Sequence, residues 1–133
     1  PEAGGENLAE KLEHFKAMIL QVREKYPHAQ VFATTLREVL SANQNKWGAI
    51  MLAGDQWYVE EPRVIDIMDR IGGGDGFTGG VLYGILKGWE PEKWIRFGWA
   101  TGAMAAGSMN DYAEPADEKQ VWAVYAGNAR VQR

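Results

Sequence analysis

The chain has no cysteine among its 133 residues, which excludes disulfides and thiolate metal sites and fits a cytoplasmic protein. Histidine is almost as scarce. His14 stands in a polar-flanked helical stretch and His28 in a turn after Pro27, so both are expected at the surface and no metal site is expected. Basic residues are outnumbered 14 to 18, and the formal net charge of −4 provides no broad positive field for nucleic acid. Arg130 and Arg133 make only a short basic tail. No apolar run reaches the roughly eighteen residues of a membrane span, and no charged start leads into a secretory leader. Repeats, low-complexity tracts and linkers are also lacking, so residues 1–133 read as one domain. What remains, 46% apolar and 11% aromatic residues, is enough for a folded core.

The 16 glycines are unevenly placed, and those within residues 69–82, Asp-Arg-Ile-Gly-Gly-Gly-Asp-Gly-Phe-Thr-Gly-Gly-Val-Leu, are the most informative. The apolar spacing of Phe77, Val81, Leu82, Ile85 and Leu86 predicts a helix immediately after Gly72, Gly73 and Gly74, with Asp75 in its first turn. A helix start offers unpaired backbone N–H groups and roughly half a positive charge, so it attracts phosphate oxygens and favours an ionised carboxylate. Such a carboxylate can take a proton from a hydroxyl while the neighbouring amides stabilise charge on a phosphoryl group. The plain alternative is a flexible turn with Asp75 as a helix cap.

Two phosphate motifs can be compared letter by letter. No Lys lies between Arg70 and Ile85, so a P-loop is excluded. Gly74, Gly76 and Gly79 do satisfy the dinucleotide pattern G-x-G-x-x-G, with 64–68 as the strand that should precede it. Downstream, Gly88-Trp89-Glu90-Pro91 reads as a helix stop followed by another helix start, where a second strand is required.

Elsewhere, residues 6–26 read as a helix that ends before Pro27, and Asn7-Leu8-Ala9-Glu10 has the spacing of a helix cap. Residues 30–34 form a short apolar strand, followed by a helix-free connection. Residues 47–52 and 56–60 read as a hairpin turning at Ala53-Gly54-Asp55. A helix from Pro91 to about Ala106 carries the small residues Gly98, Ala100, Gly102, Ala103, Ala105 and Ala106, suited to close packing on the Asp75 helix or to a flat ligand. Residues 108–115 are turn-rich and include Tyr112, and a last helix spans roughly 117–125 before Gly127. The alternation of elements indicates an α/β layer structure.

Residues 69–82 resemble the second signature of the phosphofructokinase B group, the ribokinase-like sugar kinases, with Gly73 where the usual core has alanine and Arg70 at a position normally Pro, Ser, Thr or Val. Asp-Arg-Ile-Gly-Gly-Gly-Asp is similar to the 2-keto-3-deoxygluconate kinase branch, as are Ala33-Thr34-Thr35-Leu36-Arg37 and residues 127–133. The resemblance implies part of a three-layer α/β/α fold with a central sheet and flanking helices. It implies an ATP- and magnesium-dependent kinase acting on a sugar acid, with Asp75 as catalytic base and Gly72, Gly73 and Gly74 as an anion hole. Thr35, Arg37 and Trp99 fall at nucleotide-binding positions, although Arg37 replaces a glycine and Trp99 an asparagine; Trp99 reads equally well as a core residue.

Kinases of this group are longer, and the sugar-binding residues, lid strands and magnesium-associated motif that the resemblance implies would precede residue 1. The expectation is therefore a carboxy-terminal part of a kinase, inactive alone. An uncovered edge strand or apolar helix face would favour homo-oligomers. A non-catalytic nucleotide- or partner-binding module, or a dinucleotide-binding oxidoreductase domain, are the competing readings.

Overall fold

The computed structural model describes residues 7–67, 72–107 and 117–127. Helix α1 (Leu8–Lys25) starts where Asn7 Oδ1 accepts the Glu10 N–H at 2.8 Å, so this asparagine is a helix cap. Three antiparallel strands follow in meander order, β1 (Val31–Ser41), β2 (Gln44–Ala53) and β3 (Gln56–Asp66). Helices α2 (Gly73–Lys87), α3 (Pro91–Ala106) and α4 (Glu118–Tyr125) follow among the described residues. His14 and His28 are both exposed, as expected.

The central strand β2 explains the layering. Its alternate side chains serve two cores, because successive residues of a strand point to opposite faces. Ile50 and Leu52 pack with Leu36 beneath Ile19, Leu12 and Phe15 of α1. Trp47, Ala49 and Met51 pack beneath Phe77 and Val81 of α2 and Ile95, Phe97 and Ala103 of α3. The sheet is thus covered by helices on both faces, the three-layer α/β/α arrangement expected from the sequence.

The strands differ from expectation in length. β1 continues to Ser41, through the stretch read as a connection, because its outer half is an exposed edge with no apolar run to mark it. Residues 64–66 belong to β3, not to a separate strand. The sequence breaks there at Pro62, but β3 is an edge strand, where a missing N–H is tolerated. The ladder slips between Trp47 and Ala49, and a Cβ on Gly48 would stand 2.6 Å from the Glu60 carbonyl oxygen and 2.8 Å from the Pro62 nitrogen. Only glycine lets the strands meet at this bulge.

An antiparallel meander before α2 also removes the oxidoreductase reading. Dinucleotide binding by Gly74, Gly76 and Gly79 requires a parallel βαβ unit, and the described sheet contains no parallel pair.

The paired helices meet glycine to glycine. A Cβ on Gly80 would lie 2.7 Å from Gly98 Cα and 3.0 Å from the Phe97 carbonyl, and one on Gly102 would lie 2.9 Å from the Gly73 carbonyl. The small residues of α3 therefore serve packing. α2 closes at Gly88, in the left-handed region at φ 77°, with Gly88 N–H donating to Ile85 and Trp89 N–H to Gly84. We predict that Gly80→Ala lowers stability by about 1–3 kcal/mol through overpacking. Gly79→Ala, with nothing within 4 Å of its Cβ, should raise stability by about 0.5–1 kcal/mol through helix propensity. Urea unfolding followed by circular dichroism compares the two variants.

Candidate active site at the start of α2

Three glycines and one carboxylate form the first turn of α2, and each is held differently. Gly72 is the cap residue, at φ −82° and ψ −12°. The first intrahelical bond runs from the Gly76 N–H to the Gly72 carbonyl at 2.9 Å, so the amides of Gly73, Gly74 and Asp75 precede the helical ladder. Gly73 is buried, and its absent Cβ would stand 3.0 Å from the tip of the Trp47 ring. Gly72 backs onto the Ala105 carbonyl, 3.2 Å from where its Cβ would be. Gly74 is exposed, with nothing within 4 Å of the Cβ position. Asp75 is also exposed.

The turn rests on two supports. From α3, the Thr101 hydroxyl donates to the Gly76 carbonyl at 2.6 Å. From the sheet, Trp47 reaches Gly73 and Gly102, and it is locked to α3 by a reciprocal pair of bonds: Trp47 Nε1–H donates to the Trp99 carbonyl at 3.1 Å, and Trp99 Nε1–H donates to the Trp47 carbonyl at 2.5 Å. Sequence reasoning gave neither residue a role. A signal existed for Thr101, the one hydroxyl in the run from Gly98 to Ala106. For Trp47 there was none, because its partners lie 52 residues away.

Of the two readings of Trp99, nucleotide contact or core residue, its surroundings favour the core. It is only 3% exposed, with the Arg63 guanidinium 3.8 Å from the ring centroid and Tyr125 edge-on at 6.0 Å. A nucleotide base stacked there would have to displace Arg63, so Trp99 is a core residue. Arg63 Nη1 also donates to the Tyr125 carbonyl at 2.9 Å, and the Tyr125 hydroxyl donates to the Glu60 carboxylate at 3.0 Å. Burial first, then this hydrogen bond to Glu60, raise the Tyr125 pKa above the ordinary phenol value. This network joins α4 to β3 at the core's edge.

Thr35 and Arg37 lie on the edge strand β1, Thr35 half-buried and Arg37 exposed, paired with Ala49 and Trp47. Leu36 between them enters the core beneath α1. Alternation therefore puts Thr35 and Arg37 on the opposite sheet face, the side that carries α2 and α3. Asp75, the glycines and these two residues are thus on one side of the sheet. No group of three or more Asp, Glu or His among the described residues is placed to hold a metal ion. No described helix is long and apolar enough to cross a membrane. The lead-in Asp69, Arg70 and Ile71, the loop with Tyr112, and Arg130 and Arg133 lie outside the described residues.

Comparison with known proteins bears on the same region. Residues 10–119 match the profile of the pfkB family carbohydrate kinases. A pfkB family carbohydrate kinase from Listeria grayi superposes with a TM-score of 0.71 at 31% identity, over 81% of this chain and 34% of that one. The 2-dehydro-3-deoxygluconokinase of Thermotoga maritima superposes with a TM-score of 0.76 at 27% identity, over 86% of this chain and 35% of that one. The 1-phosphofructokinase of Escherichia coli K12 is 29% identical over 63 residues, 47% of this chain and 20% of that one. The chain therefore spans between a fifth and about a third of the length of these relatives.

Proposed function

Because this chain belongs to the pfkB family of carbohydrate kinases, we propose that it supplies the catalytic-base and anion-binding part of an ATP-dependent sugar kinase that phosphorylates a sugar acid of the 2-keto-3-deoxygluconate type. The observation that carries the reading is Gly74. Its neighbours Gly72 and Gly73 pack tightly against Ala105 and Trp47, whereas among the described residues nothing approaches within 4 Å of the Cβ position at Gly74. A helical, exposed glycine costs stability relative to alanine. Packing gives Gly74 no use, and a ligand approaching the main chain beside Asp75 would supply one; Gly79, equally open, lies a turn further on, beyond the free amides of the first turn.

In this reading the Asp75 carboxylate accepts the proton of the attacking sugar hydroxyl. The amides of Gly73, Gly74 and Asp75, at the positive end of α2, receive the negative charge that develops on the transferred phosphoryl oxygens. They are fixed in advance by Thr101 and Trp47, so little reorganisation accompanies the reaction. The donor set here, backbone amides without a carboxylate cluster among the described residues, suits phosphate oxygens, and magnesium, when bound, would supply charge neutralisation at the phosphates. Thr35 and Arg37 lie on the same side of the sheet and are assigned to the nucleotide. The 2-dehydro-3-deoxygluconokinase likeness and the Asp-Arg-Ile-Gly-Gly-Gly-Asp segment favour the sugar-acid substrate. Nucleotide and sugar acid are then the small-molecule partners, and the cysteine-free chain is assigned to the cytoplasm.

Calorimetric titration tests this assignment. ATP should bind the 133-residue chain weakly, with no phosphoryl transfer by the chain alone, and Gly74→Val should reduce the affinity at least tenfold. Urea unfolding of Gly74→Val should stay within about 1 kcal/mol of the parent, because the Cβ position there is open among the described residues. Affinity for ATP that is absent, or indifferent to Gly74→Val, contradicts the site; robust turnover by the 133 residues contradicts the division of labour.

A further inference from the structure

Among the described residues, Asn45 of β2 is the one polar side chain buried in the core. It is 1% exposed, and its Oδ1 accepts no hydrogen bond. Its strand neighbours are Val39 and Ile65, and Ile65 packs in the same core as Trp47, two residues on from Asn45. Asn45 therefore faces α2 and α3. The Trp47 ring tip stands 3.0 Å from where a Gly73 Cβ would be, and Asn45 lies about 7 Å further along β2. That is the end of the sheet where Ile67 N–H donates to the Asn43 carbonyl at 2.8 Å, just before α2. A Cβ on Gly73 would also meet Ala106, and one on Gly107 would stand 3.4 Å from the Asp66 carbonyl oxygen. The start of α2 and the end of α3 thus cover this end of β2.

We propose that Asn45 is a positioning residue for the anion-binding turn: its Oδ1 accepts from one buried water, which is held from the other side by main-chain groups left free where α3 ends and α2 begins. The consequence for ATP rests on the kinase reading above, whereas the water does not. A buried acceptor without a partner forfeits the hydrogen bonds it had in solvent, so nearly all such oxygens in folded proteins are met by protein or by ordered water. Free main-chain groups are at hand, because a helix end leaves its last carbonyls unpaired and a helix start its first N–H groups. Water can donate to Oδ1 and bond these groups at the same time. Oδ1 is neutral, sits in an apolar core and has no group of acidic or histidine ligands among the described residues, so a neutral donor fits and a charged one does not. The bridge adds a third support to the first turn of α2, beside Thr101 and Trp47, and keeps the amides that follow Gly72 aimed at a phosphate.

A high-resolution crystal structure of the chain should hold an ordered water within about 3.2 Å of Asn45 Oδ1. An Oδ1 without that water, or bonded directly to protein, overturns the proposal. Asn45→Val suits a strand and removes the acceptor. Native-state hydrogen exchange followed by NMR should then show the Gly76 N–H, which makes the first bond of α2, exchanging at least about tenfold faster, with the buried Ile19 of α1 unchanged. Asn45→Ser, whose hydroxyl can keep the water, should return Gly76 to within about threefold of the parent. Equal acceleration at Gly76 and Ile19 would mean a general loss of packing, and none at Gly76 would mean an unused oxygen; either result overturns the role. By calorimetry, Asn45→Val should bind ATP about fivefold more weakly, the worth of one net hydrogen bond. Undiminished ATP affinity beside a faster Gly76 N–H also overturns it. Failure of the kinase reading is separately visible, as a parent chain that binds no ATP while the water and the Gly76 result both hold.

Discussion

Asp75→Asn in a complete kinase that carries these residues is expected to lower kcat by about 10²–10⁴-fold, the usual worth of a positioned general base. The substitution keeps size and shape and removes only the ability to take a proton from the sugar hydroxyl. Nucleotide affinity should survive, because the amides of Gly73, Gly74 and Asp75 are backbone groups positioned by Trp47 and Thr101, and the carboxylate holds none of them. Stability should fall by no more than about 1 kcal/mol, the loss of one negative charge at a helix N-terminus. Initial rates and calorimetric ATP affinity measured on the same preparation separate the two effects. Undiminished turnover would remove Asp75 from the base role, and a parallel loss of ATP affinity would make it a binding residue instead.

Trp47→Ala is expected to be the most destabilising single change in the protein. The side chain is 1% exposed, lies against Gly73 and Gly102, and donates its indole N–H to the Trp99 carbonyl. Truncating a buried tryptophan costs about 3–5 kcal/mol, a large share of the roughly 5–15 kcal/mol that holds a domain together. With a urea dependence of about 2 kcal/mol/M, the unfolding midpoint should drop by about 2 M. Trp47→Phe keeps most of the ring and gives up the donor, so about 1 kcal/mol is expected. Circular dichroism is the suitable probe, since the substitution itself alters tryptophan emission. A midpoint for Trp47→Ala within 0.5 M of the parent, on the scale of about 1 kcal/mol, would show that the clasp between β2 and α3 is dispensable. Because Trp47 also supports Gly73, Trp47→Phe should weaken ATP binding more than its small stability cost accounts for.

The helices were legible in the chain because their signals are local. Asn7 before Leu8, Pro91 after Glu90, Asp117 with Gln120 and the glycine stops at Gly88 and Gly127 are capping chemistry between residues a few positions apart. The hairpin at Gly54 and Asp55 was equally local. The strands were cut short, since the outer part of β1 and the bulged end of β3 follow β2 and not their own apolar pattern. Trp99 was ambiguous for a related reason: an indole in a small-residue helix is equally suited to core and to ligand, and Trp47, Arg63 and Tyr125, which decide the matter, are remote in sequence.

By itself the sequence determined that a glycine-rich turn opens a helix with one carboxylate in its first turn, and that motif also carried the family resemblance. Covalent spacing and capping suffice for that much, because they act within a few residues. Only the tertiary structure decided which glycines of α2 are spent on packing and which are left open, since Gly73 meets Trp47 and Gly80 meets Gly98 while Gly74 and Gly79 meet nothing among the described residues. It also put Trp99 in the core, Thr35 and Arg37 on the side of the sheet that carries α2, and Leu82 and Leu86 on an uncovered face. Each of these depends on chain segments tens of residues apart coming within van der Waals contact or failing to, and no local pattern encodes that distance.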